Sequence, residues 1–323
     1  MSVAGADFSQ FGIAVGHATD DEGATGCTVI RGTSGPLRAA AGVVGRATGT
    51  RDLLPLTSHH LVDRIDAVFL TGGSAYGLDA AAGVMRWMEE RGRGFAVGGG
   101  VVPIVPAAVV FDLGPLGSFA ARPTAAMAYD ACETARGAGI AEGSVGAGTG
   151  TTVGKAAGRE WAMKGGIGCA VARGATLAAG AIAVVNALGD VRDGAGRIIA
   201  GARAERGGFR DSTALLAGGA PPAFDALQMT NTTLAVVVLS APLGRADLGA
   251  VAEACAGALY RRITPAGTAY DGDIVFALSP LDGVPADAVT ASVLASAALE
   301  QAIERAVRTA RGRDGIPGLA DAA

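Results

Sequence analysis

The chain is poor in aromatic residues, in charged residues and in lysine. Aromatic side chains make up 5% of its 323 residues and charged ones 17%, whereas 50% of the residues are apolar. This balance excludes an intrinsically disordered chain, and the 51 glycines predict closely packed layers joined by many tight turns. Lysine occurs only at Lys155 and Lys164, and the formal net charge is −4. Because nucleic-acid binding needs clustered cations, this composition argues against a nucleic-acid partner.

Cysteine and histidine are also scarce, and neither shows metal-binding spacing. The four cysteines form no CxxC pair and the three histidines add no zinc pattern, so we expect no metal and no other cofactor. We interpret the cysteines as small apolar residues buried in a reducing compartment. No apolar run reaches about 18 residues, and the N-terminus lacks a cationic start followed by an apolar core. We therefore expect a cytoplasmic protein without a membrane partner.

Apolar runs and turn residues predict a mixture of strands and helices. Residues 68–73 predict a strand that ends in a turn, and 101–111 an irregular extended segment, because two prolines interrupt it. Residues 203–228 lose periodicity and predict a surface loop. The other predicted elements are strands at 167–172 and 177–186 (a hairpin), 233–239 and 273–278, and helices at 78–90, 124–136, 247–261 and 285–311, the last with proline in its first turn. Clustered strands flanked by helices predict an α+β fold with two helix-covered sheets.

The junction between Asn231 and Thr232 combines features of a self-cleavage site. A glycine- and proline-rich loop gives way there to a strand rich in β-branched residues, and asparagine holds its backbone readily in a turn. Cleavage before Thr232 would place a hydroxyl beside a free α-amine, which is the nucleophile and base pair of N-terminal threonine catalysis. The α-amine has a pKa of about 7.7 to 8.0, well below that of lysine, so it is a usable base at neutral pH. Thr233 would point to the opposite face of the strand.

Such a nucleophile needs orienting carboxylates and donors for the tetrahedral intermediate. Asp271 and Asp273 stand two positions apart at the start of a predicted strand, hence on one face if the strand includes them. We expect them to accept from the hydroxyl and ammonium of Thr232. The candidate donors are Lys155, which ends a glycine-rich loop, and Asn186, which ends an apolar strand. That loop lacks the spacing of a phosphate-binding loop, so it does not indicate a nucleotide.

Four segments together resemble the DmpA-type self-cleaving aminopeptidases and their relatives, the β-peptidyl aminopeptidases and the nylon-oligomer (6-aminohexanoate-oligomer) hydrolases. In chain order they are residues 70–81, 102–113, 148–155 and 231–233. The threonine followed by a two-aspartate pattern is more similar to the nylon-hydrolase branch, since many DmpA-type peptidases use serine. At position 111, where that branch leads us to expect tyrosine, the chain has Phe111, which removes a hydroxyl from the expected substrate pocket.

The resemblance implies a four-layer αββα sandwich of the N-terminal-nucleophile (DmpA/ArgJ-like) type, formed by one catalytic domain over residues 1–323. It implies a precursor cut into a larger subunit, 1–231, and a smaller one, 232–323, assembled as a tetramer of such heterodimers. In this family pattern Thr232 is the nucleophile, Asp271 and Asp273 orient it, and Lys155 and Asn186 support the site. The expected substrates are peptides or ω-amino-acid oligomers, cleaved through an acyl-enzyme.

Two other functions fit the same sequence. An acyltransferase of the ornithine acetyltransferase type would also use an N-terminal threonine, but it would pass the acyl group to an amine instead of water. A catalytically silent binding protein that kept the fold would have an intact chain and would form no acyl adduct. Amide hydrolysis through an acyl-enzyme on Thr232 is the leading hypothesis, and these two functions are its alternatives.

Overall fold

A computed structural model describes residues 6–57, 59–114, 116–219 and 231–322. The strands in these ranges are β1 (Ile13–Asp20), β2 (Thr25–Gly32), β3 (Arg38–Val43), β4 (Thr50–Arg51), β5 (Ala67–Thr71), β6 (Phe95–Val97), β7 (Gly100–Val102), β8 (Ala107–Val109), β9 (Thr152–Val153), β10 (Met163–Lys164), β11 (Gly166–Arg173), β12 (Ala178–Asn186), β13 (Asp190–Arg192), β14 (Ile198–Ala200), β15 (Thr232–Leu239), β16 (Ile263–Thr264) and β17 (Ile274–Ser279). The helices are α1 (Ser74–Gly77), α2 (Ala81–Glu89), α3 (Ala125–Thr134), α4 (Ser212–Ala217), α5 (Arg245–Arg262) and α6 (Ala288–Arg308).

Two five-stranded sheets carry the fold. Sheet I has the strand order β1-β2-β5-β8-β4, and sheet II has the order β11-β12-β15-β17-β3. In each sheet a single pair of neighbours is parallel, β5 with β8 in sheet I and β15 with β17 in sheet II. The predicted hairpin at 167–186 is confirmed as β11 and β12, which pair antiparallel.

The two sheets pack face to face, and helices cover their outer faces. Side chains alternate along β15: Leu234, Val236 and Val238 belong to the core between the sheets, whereas Ala235 and Val237 pack in the core beneath α5 and α6. A third core lies between sheet I and the helices α2 and α3. The sequence of a strand that is buried on both faces is a continuous apolar run, and this is the case for β15. The predicted α+β class and the αββα layering are confirmed.

Several predicted elements differ in their limits. The region predicted as a loop at 203–228 contains α4, which Asp211 caps by accepting from the backbone amides of Thr213 and Ala214, and its residues 220–228 lie outside the described ranges. The long C-terminal helix begins at Ala288 with Asp287 as its N-cap, so Pro285 precedes it and does not lie in its first turn. Strand β17 begins at Ile274, one residue after Asp273.

All four cysteines are buried, as predicted, and all four are free thiols. Within the ranges given above, no helix is long and apolar enough to cross a membrane. The same ranges contain no group of three or more His, Cys, Asp and Glu side chains that could hold a metal ion.

Candidate active site

Thr232 is the first residue of β15, and its hydroxyl faces the peptide bond that precedes it. Its Oγ1 donates to the carbonyl oxygen of Asn231 at 2.6 Å. The same oxygen accepts from the backbone N–H of Gly272 at 2.9 Å. When Oγ1 of Thr232 attacks the carbonyl carbon, the Gly272 N–H remains as a donor that stabilises the charge developing on the oxygen. The candidate cleavage site therefore already has a nucleophile and a donor in place.

Lys155 and Asn186 form one buried cluster next to this strand end. Asn186 is the last residue of β12 and is the cross-strand partner of Thr232. The Lys155 Nζ donates to the backbone oxygen of Asn186 at 3.0 Å and to its side-chain oxygen at 3.1 Å. The Asn186 amide also accepts from Thr152 N and donates to the Phe111 carbonyl. These bonds fix the amide, so the structure brings together four of the residues that the sequence singled out.

Burial sets the charge of Lys155. Removal from water lowers its pKa to about 7, although the carboxylates of Asp271 and Asp273 act in the opposite direction by favouring the ammonium form. A lysine with an ordinary pKa would be almost fully protonated at neutral pH, whereas this one exchanges its proton readily near pH 7. Lys155 therefore changes between the positively charged and the neutral form near pH 7.

The two aspartates are buried, but they do not lie on one face of a strand as predicted, because β17 starts after them. Asp273 accepts from the backbone amides of Thr233 at 2.5 Å and Gly267 at 3.0 Å. Asp271 accepts from Thr268 N at 2.7 Å. Burial raises the pKa of both carboxyl groups, and the charge of Asp271 raises that of Asp273 further. In the uncut chain the Thr232 hydroxyl donates to Asn231, so the predicted contact of the aspartates with Thr232 remains a prediction.

A cavity of about 490 Å³ opens beside Thr232. Sheet II contributes Thr232, and sheet I and its connections contribute most of the remaining wall. The lining residues are Ala47, Thr48, Gly49, Ser74, Ala75, Val109, Phe111 and Thr232. Thr232 is buried, with 5% of its surface exposed, and it is one of the residues that line this space. The size falls in the range of small-molecule sites. Phe111 lies in the wall of this cavity, and its role as a substrate-pocket residue stays a prediction.

Sequence reasoning missed Gly272, Ser74, Val109 and residues 47–49. Ser74 follows two glycines at the end of β5 and has a φ of 49°, which is uncommon for a residue with a side chain. The Gly72-Gly73 pair was a signal for a special turn at this point. Residues 47–49 carry no comparable signal. They follow β3, and the pairing of β3 with β17 brings them to the cavity, which no local pattern in the sequence specifies.

Comparison with known proteins identifies the family. Residues 11–317 match the sequence profile of Peptidase family S58. The chain belongs to Peptidase family S58. It is 40% identical over 318 residues to an uncharacterized aminopeptidase of Mycobacterium tuberculosis, covering 92% of this chain and 90% of that protein. It is 31% identical over 278 residues to a 6-aminohexanoate-oligomer endohydrolase of Kocuria sp., covering 83% and 73% of the two chains.

Solved structures share the same fold. A β-aminopeptidase of Burkholderia sp. superposes with a TM-score of 0.71 at 20% identity, covering 100% of this chain and 93% of that one. The L-aminopeptidase D-Ala-esterase/amidase of Ochrobactrum anthropi is described as a variant of the Ntn hydrolase fold. It superposes with a TM-score of 0.71 at 20% identity, covering 98% of this chain and 90% of that one. The S58 chain described here is therefore a hydrolase of peptide or amide bonds with an N-terminal-nucleophile hydrolase fold.

Proposed function

We propose that this S58 hydrolase cuts itself between Asn231 and Thr232 and then uses Thr232 as an N-terminal nucleophile. The observation that carries the proposal is the 2.6 Å contact between the Thr232 hydroxyl and the Asn231 carbonyl, at the wall of a substrate-sized cavity. The expected substrates are peptides or ω-amino-acid oligomers, since relatives include proteins named as aminopeptidases and 6-aminohexanoate-oligomer endohydrolases.

Self-cleavage begins when Oγ1 of Thr232 attacks the carbonyl carbon of Asn231. The Gly272 N–H supports the developing oxyanion, because it already donates to that oxygen. The bond from the Asn231 carbon to the Thr232 nitrogen breaks, the hydroxyl proton passes to that nitrogen, and an ester joins the two residues. Water then hydrolyses the ester, leaving a carboxylate on Asn231 and a free hydroxyl and amine on Thr232.

The two fragments, 1–231 and 232–323, are expected to stay together. Strands β15 and β17 come from the smaller fragment and are neighbours in sheet II, and they are flanked by β12 and β3 from the larger one. Backbone hydrogen bonds therefore cross between the fragments, and so do the two apolar cores on either face of sheet II. Assembly into a tetramer of heterodimers and a cytoplasmic location remain predictions.

In turnover, the free amine of Thr232 removes the proton from its own hydroxyl, which attacks the substrate carbonyl. The leaving amine takes that proton as the acyl-enzyme forms, and water releases the acid in a second attack. We assign Lys155 and Asn186 to the electrostatic support of the tetrahedral intermediate, with Asp271 and Asp273 holding the ammonium in place. The charge of Lys155 near pH 7 suits that role.

Denaturing electrophoresis tests the proposal, with N-terminal sequencing of the bands. The wild type should give two fragments, the smaller beginning at Thr232, whereas Thr232→Ala should give one full-length band and no amide hydrolysis. Thr233→Ala is the matched control, because Thr233 is equally buried but lies on the opposite face of β15. Normal processing of Thr232→Ala would disprove the assignment of the nucleophile.

A further inference from the structure

The helix α1 forms part of the rim of the cavity beside Thr232. Ser74 and Ala75 line the space, and Ala75 is exposed. Tyr76 follows them with 55% of its surface exposed. None of the lining residues carries a charge, so a charged group of the substrate must find its partner at the rim. A ligand longer than the cavity can extend to solvent past α1.

Arg122 packs against this rim. Its guanidinium carbon lies 3.7 Å from the centroid of the Tyr76 ring, and a guanidinium stacks favourably on an aromatic face. The next residue, Pro123, lies near Gly73, since a Cβ built on this glycine would be 3.1 Å from the proline Cδ. Gly73 and Tyr76 flank the two lining residues of α1 in the sequence. Both contacts therefore hold Arg122 next to the cavity.

The charge of Arg122 has no counter-ion among the residues that the structure describes. None of the ion pairs between these residues includes Arg122. Its Nε is buried and has no hydrogen-bond partner in the same part of the chain. The two terminal nitrogens lack a partner there as well, but they are not buried, so a ligand can reach them. Because a partly buried guanidinium without an acceptor is unfavourable, this position favours an anionic partner.

The acidic groups of the site lie at the end of sheet II. Asp271 forms a β-bridge with Asn231, and Asp273 accepts from the backbone N–H of Thr233 at 2.5 Å. Self-cleavage adds the carboxylate of Asn231 to this group. These charges attract the new N-terminal ammonium and an amine of the substrate, whereas they repel a carboxylate. A substrate carboxylate is therefore favoured on the sheet I side, where α1 and Arg122 lie.

We infer that Arg122, stacked on Tyr76, binds the free carboxylate on the departing part of a short substrate, such as a dipeptide or an ω-amino-acid dimer. This inference rests on the proposed function of Thr232. With the scissile amide at Thr232, the departing amine points toward α1, and its carboxylate accepts from the terminal nitrogens of Arg122. A planar guanidinium held against a ring loses little freedom on binding. Arg122 is thus a specificity residue and takes no part in bond breaking.

Substrates that differ only in this carboxylate test the inference on the self-cleaved enzyme. Alanyl-alanine is compared with alanyl-alaninamide, and the 6-aminohexanoate dimer with its amide, which places the carboxylate farther from the scissile bond. We expect kcat/KM to be about tenfold higher for the acid than for the amide in at least one pair, mainly through KM. The ratio should fall toward one in about 0.5 M salt, because salt screens a partly exposed ion pair. If neither pair is hydrolysed, the same compounds are compared as inhibitors of acylation by p-nitrophenyl acetate.

Arg122→Met removes the charge but keeps a long side chain against Tyr76, and it should bring the ratio of acid to amide to about one. Arg122→Lys should restore part of the ratio, since lysine keeps the charge but lacks the planar fork. Arg210→Met is the matched control. Arg210 also stacks on a ring, that of Trp161 at 4.0 Å, but neither residue adjoins a lining residue of the cavity in the sequence. The ratio in this variant should equal that of the wild type.

Arg46→Met tests the exposed cation that precedes Ala47 in the cavity wall, and it should keep the preference for the acid. Because each ratio is taken within one variant, a general loss of activity cancels. A wild-type ratio of one, or a preference that survives Arg122→Met, would overturn the inference. An uncut chain that forms no acyl adduct would instead refute the proposed function.

Discussion

A single methyl group at Gly272 should disturb self-cleavage, because this glycine contacts the nucleophile. A Cβ built there would lie 2.8 Å from Oγ1 of Thr232 and 2.9 Å from the carbonyl oxygen of Ala47. Ordinary van der Waals contact begins at 3.4 Å, so the hydroxyl would have to move by about 0.6 Å. The Ala47 oxygen on the other side prevents the new methyl group from moving away.

The size of the effect follows from this displacement. A misplacement of 1 Å between reacting groups lowers the rate about 100-fold, so Gly272→Ala should slow self-cleavage by roughly 10- to 100-fold. Crowding of this kind should also lower the unfolding free energy by about 1 to 3 kcal/mol. The rate is measured by quenching a cell-free synthesis reaction in detergent at intervals and following the full-length band.

Gly249→Ala is the matched control for the glycine substitution. Gly249 lies in α5, where a new Cβ meets no atom within 4 Å. This variant should cleave at the wild-type rate and gain up to about 1 kcal/mol of stability, because alanine is a better helix former. Adding Thr232→Ser to Gly272→Ala should recover part of the rate, since a serine hydroxyl has freer rotamers. Equal cleavage rates in folded Gly272→Ala and Gly249→Ala would refute the reasoning.

Two further predictions concern the buried polar groups. Asn186→Ala removes the side-chain oxygen that accepts from Lys155 and from the Thr152 amide, so kcat should fall about 100- to 1,000-fold with the fold retained. Wild-type turnover in this variant would exclude a role for the Asn186 side chain. Lys164 donates to three backbone carbonyls, and burial lowers its pKa to about 7. Because the folded lysine releases its proton near pH 7 while the unfolded one keeps it, the unfolding free energy should rise by about 1.4 kcal/mol per pH unit between pH 7 and 9. Lys155 should increase this slope by a similar amount. Urea unfolding of the uncut Thr232→Ala chain measures how the unfolding free energy changes with pH. Adding Lys164→Met should remove the contribution of Lys164 to this slope and should lower the unfolding free energy at every pH. An unchanged slope would show that Lys164 keeps an ordinary pKa.

The sequence alone identified the elements whose signals are local. The hairpin of β11 and β12 follows from two apolar runs and a short polar turn, and β15 from its continuous β-branched run. The helix α3 begins after Thr124, which caps it by accepting from Met127 N. Thr232 was also singled out locally, because a loop rich in glycine and proline meets a strand there. The four-layer order came from the family resemblance, not from periodicity.

Only the tertiary structure decided what surrounds Thr232. The aspartates were predicted at the start of a strand, but β17 starts after them. Asp271 accepts from the Thr268 amide in its own loop, and Asp273 accepts from the Thr233 amide in β15. The approach of Gly272 to Asn231 depends on the parallel pairing of β15 with β17, which no local pattern specifies. The cavity is assembled from both sheets, so its uncharged wall is a property of their packing. Local propensity fixes single elements, whereas contacts between residues far apart in sequence depend on how the layers close around the core.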